Sequence, residues 1–422
     1  MRFSSILAAV AATTPTLIAA HGDEYPVPKV FGRSSLELKS RQLSSRSNKA
    51  RAANSNLNTR QSTDRCGAGV GSCAAGLCCS AAGYCGSTPA YCNAPDCQFN
   101  YGPACDANIK PAGSDTSSVA RPKLGSVPYG GAGIYDCNVA GTVALTYDDG
   151  PYIYTNDILD IFAKYNAKAT FFITGNNNGK GEIDNPANAW PAVIKRMYSE
   201  GHQIASHTWS HQDLSAITSA QRKQQMTYNE MALRNVLGFF PTYMRPPYSS
   251  CNAACQADMG ALGYHVTYFD IDTDDYNQDS PSKIQNSKNR FSDGLVGPPS
   301  DNDYLVIGHD IHEQTAHNLT EYMLQTLQAR GYRAVTVGEC LGDDAANWYR
   351  SSSGSASTSV LSNIVSSTSR TSSAPTSSAP SSSAPASSAT KVSQDGSCGA
   401  ASALQTIAET ASPDSGPLDP AL

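Results

Sequence analysis

Val143-Ala144-Leu145-Thr146-Tyr147-Asp148-Asp149-Gly150-Pro151 is the stretch on which the fold turns. Its first five residues run without a charge, then meet two adjacent carboxylates and a Gly-Pro turn. A short continuous run of this kind reads as a buried strand, as in a parallel sheet covered by helices. Outward from it, Ile158-Leu159-Asp160-Ile161-Phe162-Ala163 has a helical pattern, and Thr170-Phe171-Phe172-Ile173-Thr174 reads as the next strand. Further strand candidates are Gln203-Ile204-Ala205, residues 239–244, residues 265–269 and 268–271, Tyr304-Leu305-Val306-Ile307 and Ala334-Val335-Thr336-Val337. Strands alternating with helices predict an α/β fold with a mostly parallel sheet, open or barrel-like.

Chemistry-bearing residues gather at the ends of these strands. Adjacent carboxylates such as Asp148 and Asp149 are costly unless a cation or hydrogen bonds hold them. About 60 residues on, His207 and His211 stand four apart, a spacing that puts both on one face of a helical turn and suits joint metal binding. One carboxylate with two histidines makes an open facial metal site with room for water and substrate. Arg245-Pro246-Pro247-Tyr248, Asp272-Thr273-Asp274-Asp275-Tyr276 and Leu305-Val306-Ile307-Gly308-His309-Asp310 each close a predicted strand. In parallel α/β folds that edge is where sites assemble.

In this order the five segments resemble the polysaccharide deacetylase family (carbohydrate esterase family 4, the NodB-like domain). The resemblance implies an irregular (β/α) barrel with fewer than eight strands, over residues 136–349. It also implies a division of labour. Asp149, His207 and His211 would hold a divalent metal, Zn2+ first and Co2+ second. Asp148 would be the general base, oriented by Arg245, and His309 the general acid, tuned by Asp275. The Tyr248 backbone N–H would donate to the oxyanion. Leu305 and Ile307 would line the pocket for the acetyl methyl, beside a wall at Tyr276, where the family commonly has Trp. The reaction implied is removal of N-acetyl groups from N-acetylglucosamine residues of chitin, giving chitosan and acetate.

Eight of the 13 cysteines, Cys66, Cys73, Cys78, Cys79, Cys85, Cys92, Cys97 and Cys105, fall in one short segment. Small secreted domains that cannot build a core are stapled this way. A zinc cluster is the weaker alternative, because the segment lacks histidine. The run Leu77-Cys78-Cys79-Ser80, Gly83-Tyr84-Cys85-Gly86 and Tyr91-Cys92 resembles a hevein-like chitin-binding module (carbohydrate-binding module family 18). The resemblance assigns sugar contacts to Ser80, Tyr84 and Tyr91, and Ala82 stands where the family usually has an aromatic. Rigidly presented aromatics bind at little entropic cost. Of the other cysteines, Cys137 and Cys340 could staple the ends of the large domain, and Cys251 and Cys255 could brace the Arg245-Pro-Pro-Tyr loop; Cys398 is left over.

The expected organisation is a signal peptide (1–20), a disordered or pro-segment (21–62), the hevein-like domain (63–106), a linker (107–135), the deacetylase domain (136–349) and a Ser/Thr/Pro-rich tail (350–422). Arg2, the apolar run 6–12 and Ala19-Ala20 carry the secretion signal. Asn318-Leu319-Thr320 is an N-glycosylation acceptor. A net charge of −6 without a basic, aromatic-interleaved patch excludes a nucleic-acid partner. The chain is therefore expected outside the cell or on its wall, as a monomer with chitin or its oligomers as partner and no transmembrane segment. Two other readings keep part of the pattern: deacetylation of acetylxylan or peptidoglycan, and a chitin-binding wall protein without catalysis.

Overall fold

A computed structural model of the chain describes residues 64–351. The expected signal peptide, the segment after it, the Ser/Thr/Pro-rich tail and Cys398 lie outside the described residues.

The buried run forms β3 (Thr142–Asp148), every residue of which is buried. It follows the module's short β1 (Cys78–Cys79), β2 (Cys85–Gly86) and α1 (Pro89–Cys92). Next come α2 (Thr155–Lys164), β4 (Thr170–Ile173), α3 (Trp190–Ser199), β5 (Gln203–Ser206), α4 (Ser219–Leu237), β6 (Phe239–Pro241) and β7 (Tyr243–Met244). The chain continues through α5 (Ala253–Ala261), β8 (His265–Val266), β9 (Ile271–Asp272), α6 (Ile284–Gly294), β10 (Tyr304–His309), α7 (Thr320–Arg330), β11 (Arg333–Val335), α8 (Val337–Cys340) and β12 (Tyr349–Ser351).

The main sheet is parallel throughout, in the order β8-β7-β5-β4-β3-β10-β9, with β11 paired to the start of β3. It curls into a half-barrel, with β8 and β9 as edge strands. Counting β11 there are eight strands, against the fewer than eight that the resemblance implied. The helices bury apolar stripes against the sheet: Ile158, Leu159 and Phe162 on α2, Val193, Ile194 and Met197 on α3. The longest, α4, starts in a capping box formed by Thr218 and Gln221 and stops at Gly238, in the left-handed region at φ 86°.

Two local expectations need correction. Residues 239–244 make two strands rather than one: β7 joins the main sheet, while β6 leaves it to pair antiparallel with β12. The predicted strand over 334–337 ends at Val335, because Thr336 caps a helix by accepting the Glu339 N–H. The Pro/Gly/Ser-rich stretch after the module is laid along α4. Arg121 pairs there with the buried Glu230 (2.7 Å), which also accepts from Thr116 and the Tyr264 hydroxyl. Its composition forbids helix and strand, but one buried carboxylate needs a partner and finds it here.

All twelve cysteines among the described residues are paired, as Cys66–Cys79, Cys73–Cys85, Cys78–Cys92, Cys97–Cys105, Cys137–Cys340 and Cys251–Cys255. Cys66, Cys73 and Cys79 lie close together, but as disulfides they offer no thiolate to a metal. Among the described residues no helix is long and apolar enough to cross a membrane.

Candidate metal and catalytic site

The ends of β3, β5 and β10 and the loop after β7 converge at one edge of the sheet. Register does much of this: His309 at the end of β10 lies directly opposite Asp148 at the end of β3. Asp149 follows at φ 79°, which turns its side chain away from the strand direction. Such a conformation costs a non-glycine residue on the order of 1–3 kcal/mol and persists only where the surroundings impose it.

His207 and His211 lie on a loop, not on the helical turn their spacing predicted. Thr208 (φ 71°) and His211 (φ 55°) are both left-handed and fold the chain back, so the rings approach to 5.0 Å between centroids. Buried polar groups of α4 hold this loop. Gln225 Oε1 accepts the N–H and hydroxyl of Ser210, and Asn229 Nδ2 donates to Ile173 O and Ser206 Oγ. The loop is therefore dictated by a helix whose polar residues look, in sequence, like a solvated face.

Asp149, His207 and His211 each present one ligand atom, all within 4.8 Å of one another. His211 Nε2 stands 3.2 Å and His207 Nε2 3.8 Å from Asp149 Oδ1, and that oxygen is buried without a hydrogen-bond partner. An orphaned carboxylate oxygen facing two imidazoles is what a divalent cation would satisfy. His207 Nδ1 lies 2.7 Å from the Arg245 carbonyl, so it carries the proton and leaves Nε2 as the donor to a metal. Burial pushes the His211 imidazolium down to about 4, which keeps the ring neutral and able to ligate. Burial opposes ionisation of Asp149, but the charges of His211, His207, His309 and Lys180 outweigh it and bring the carboxyl down to about 2. The residues present fit a divalent metal.

Two ion pairs flank this set. On one side Arg245 Nη1 donates to Asp148 Oδ1 (2.7 Å) and to Thr146 Oγ1 (2.7 Å). Its other nitrogens donate to the carbonyls of Tyr268 and Thr267, and its guanidinium lies over the Phe172 ring. On the other side His309 Nδ1 meets Asp275 Oδ1 at 2.7 Å, and Asp275 Oδ2 accepts the His309 N–H and the Thr315 hydroxyl. Burial disfavours the His309 imidazolium, but the charge and hydrogen bond of Asp275, with Asp149 and Asp148 beyond, push its pKa up to about 10. The same partnership, against the penalty of burial, lowers Asp275.

The remaining expected contacts are less uniform. Tyr248 sits at φ 59° with its side chain half-exposed and edge-on to His211, 4.5 Å between ring centroids. Tyr276 is partly exposed and edge-on to His309 at 5.3 Å, its hydroxyl donating to Asp272. Ile307 shares the strand face of His309 by two-residue alternation; Leu305, two further in, is wholly buried in the main core. In the module, Ser80 Oγ accepts the Tyr84 N–H (3.2 Å) and is nearly buried, while Tyr84 is exposed with Arg65 over its ring at 4.2 Å. Tyr91 lies on Gly86, where a Cβ would come within 2.6 Å of its ring. Asn318 is exposed on a π-helical turn.

Sequence reasoning missed Lys180 and Asp310. Lys180 Nζ is buried and donates to the carbonyls of Asp149 and Gly150 (2.7 Å each) and to Thr174 Oγ1 (2.8 Å). Burial drives its ammonium down, against the attraction of Asp310 and Asp149. Asp310 accepts from Thr155 Oγ1 at 2.6 Å and packs so closely on Gly150 that no Cβ would fit there. Lys180 stands in Asn176-Asn177-Asn178-Gly179-Lys180-Gly181, which in sequence reads as a surface loop, so no local signal marks it.

Comparison with known proteins agrees with this geometry. Residues 136–267 match the polysaccharide deacetylase family, and residues 65–105 match the chitin recognition protein family. The chain is 45% identical over 251 residues to a chitin deacetylase of Colletotrichum lindemuthianum, covering 59% of this chain and 97% of that protein. A chitin deacetylase of Pestalotiopsis sp is 44% identical over 240 residues, 57% of this chain and 76% of that one. The solved structure of the chitin deacetylase from the fungal pathogen Colletotrichum lindemuthianum superimposes with a TM-score of 0.51 at 46% identity, over 53% of this chain and 97% of that one. Family matches, curated relatives and half-barrel sheet agree: the chain belongs to the polysaccharide deacetylase family and is a hydrolase.

Proposed function

We propose that this protein is a secreted, metal-dependent chitin deacetylase, which hydrolyses the acetamide of N-acetylglucosamine units to leave a free amine and acetate. The observation that carries this reading is the placing of two buried ion pairs, Asp148–Arg245 and Asp275–His309, beside the Asp149/His207/His211 set. Substrate choice rests on the relatives and on the chitin-recognition match.

An amide needs an activated water, a stabilised oxyanion and a protonated leaving amine. Asp149, His207 and His211 would hold the metal, Zn2+ first and Co2+ second, which supplies Lewis-acid polarisation and a more acidic water. Asp148 is the base, and the fixed guanidinium of Arg245 turns its carboxylate toward the reacting centre while the other oxygen stays 3.6 Å from His207 Nε2. His309 is the acid that gives its proton to the departing nitrogen. Asp275 holds the Nδ1–H, so Nε2 carries the transferable proton, and keeps the ring charged. The left-handed Tyr248 presents its backbone N–H to the oxyanion, a donor worth about 3 kcal/mol in such sites. Tyr276 and Ile307 bound the space for the acetyl group. The cystine-rich module and the expected leader support a location outside the cell or at its wall.

Acetate release from chitin oligomers is the test. Activity should disappear with a chelator and return with Zn2+. Release from acetylxylan or peptidoglycan alone would move the substrate, and none from metal-replete protein on any of the three would overturn the enzymatic reading.

A further inference from the structure

The cystine-rich module is seated on the loop that carries His207 and His211 and on the neighbouring loop that carries Lys180. Trp209 Nε1 donates to Asp106 O (3.1 Å) and Gln212 Nε2 to Pro95 O (3.3 Å), so the residues bracketing His211 both reach the module. On the neighbouring loop the Asn178 N–H donates to Ala94 O (3.1 Å), two residues before Lys180. Gln221 of α4 adds a hydrogen bond to Asn100.

Beside these contacts lies an open cleft of about 250 Å3, lined mostly by the module, Asp96, Phe99, Asn100 and Tyr101 among its residues, and closed on the side of the large domain by Gln212, the neighbour of His211. Asp96 is exposed, and its charge reaches the Tyr248 phenol, whose ring stands against His211. Gln212 directly follows His211, so the cleft borders the loop that carries two of the candidate metal ligands. Its lining mixes two half-buried aromatics, Phe99 and Tyr101, with a carboxylate and three amides, which suits the apolar face and the hydroxyls of a sugar.

We propose that this cleft is a sugar subsite shared by the module and the hydrolase domain. It takes a distal N-acetylhexosamine unit of the same polysaccharide chain whose acetamide is cut next to His211. This rests on the chitin deacetylase reading above. The module then acts as a wall of the catalytic groove, separate from any binding at Tyr84. Long oligomers gain contacts here that a disaccharide cannot reach.

The test is steady-state acetate release by the full secreted chain on chitin oligomers from dimer to hexamer, comparing wild type with Asp96→Ala/Asn100→Ala. Both residues are exposed, and retention on chitin beads through the Tyr84 face reports that the module remains folded. The expected result is a KM about five- to tenfold higher for pentamer and hexamer, with kcat and the dimer unchanged, from the loss of one or two hydrogen bonds. A chain-length profile identical to wild type, or an equal loss on dimer and hexamer, overturns the subsite. Absence of acetate release by wild type on every oligomer overturns the chitin reading with it.

Discussion

In the cystine-rich module four disulfides close loops of 8 to 14 residues around two strands of two residues each. In the large domain one disulfide, Cys137–Cys340, spans 203 residues, and what lies between is held by a parallel sheet and its core. The first region fixes its side chains by covalent bonds near each of them. The second fixes them by packing, register and buried charge, and its functional residues come from across the chain. A site of the second kind can bury carboxylates and imidazoles together, which a scaffold with two small clusters of buried cystines cannot. Chemistry that needs shifted acidities belongs there, and recognition by exposed rings belongs to the other.

That contrast can be broken or sharpened by substitution. The largest effect is expected for Asp148→Asn or His309→Ala: kcat should fall about 10^2- to 10^4-fold, with retention on chitin beads untouched. Next, Arg245→Ala leaves the Asp148 charge buried and unpaired, and should cost about 3–5 kcal/mol in a denaturant titration of the large domain. Removing the long disulfide as Cys137→Ser/Cys340→Ser should cost a comparable ~2–5 kcal/mol while the module keeps its four bridges. Lys180→Met should weaken metal affinity about 10- to 100-fold, read by competition with a chelating dye, because the carbonyls of Asp149 and Gly150 lose their clamp. The smallest effect is in the module: Ala82→Trp adds an aromatic at an exposed position and should tighten chitin binding about two- to tenfold, with turnover of short oligomers unchanged.

A pH experiment separates the regions again. In metal-free protein the folded His309 titrates near 10 against an ordinary 6.5. A raised value favours the folded state fully below 6.5, and that contribution fades as pH climbs through 10. The Tm advantage of wild type over His309→Gln should therefore shrink across that window. A constant advantage would show that His309 is held by packing and not by the charge of Asp275.

Much of the large domain was legible because its strands are continuous apolar runs ending in polar punctuation. Residues 143–148 and 304–309 announce both strand and site in one phrase. What escaped was long-range. Nothing local in Ser206–His211 says that Gln225 and Asn229 will bend it into left-handed turns, so the four-residue spacing read as helix. Nothing near Lys180 says that its ammonium will be buried under Asp149. The split of residues 239–244 depends on β12, over a hundred residues later. In the module the spacing of cysteines was informative, but its seating on the loops around His211 depends on partners far along the chain.

The pairing of His309 with Asp148 across β10 and β3 has a kinetic side. Those two strands are neighbours in space but separated by some 160 residues, so the ladder between them is among the contacts of greatest loop-closure cost. Asp148 and His309, the proposed base and acid, share a rung only once β10 pairs with β3, and the disulfide between Cys137 and Cys340 closes over the same interval. A chain in which β10 is not yet paired holds the candidate ligand residues but not the His309–Asp148 rung. Hydrolytic competence therefore serves as a readout of completed folding, and refolding followed by acetate release should lag behind refolding followed by helix content.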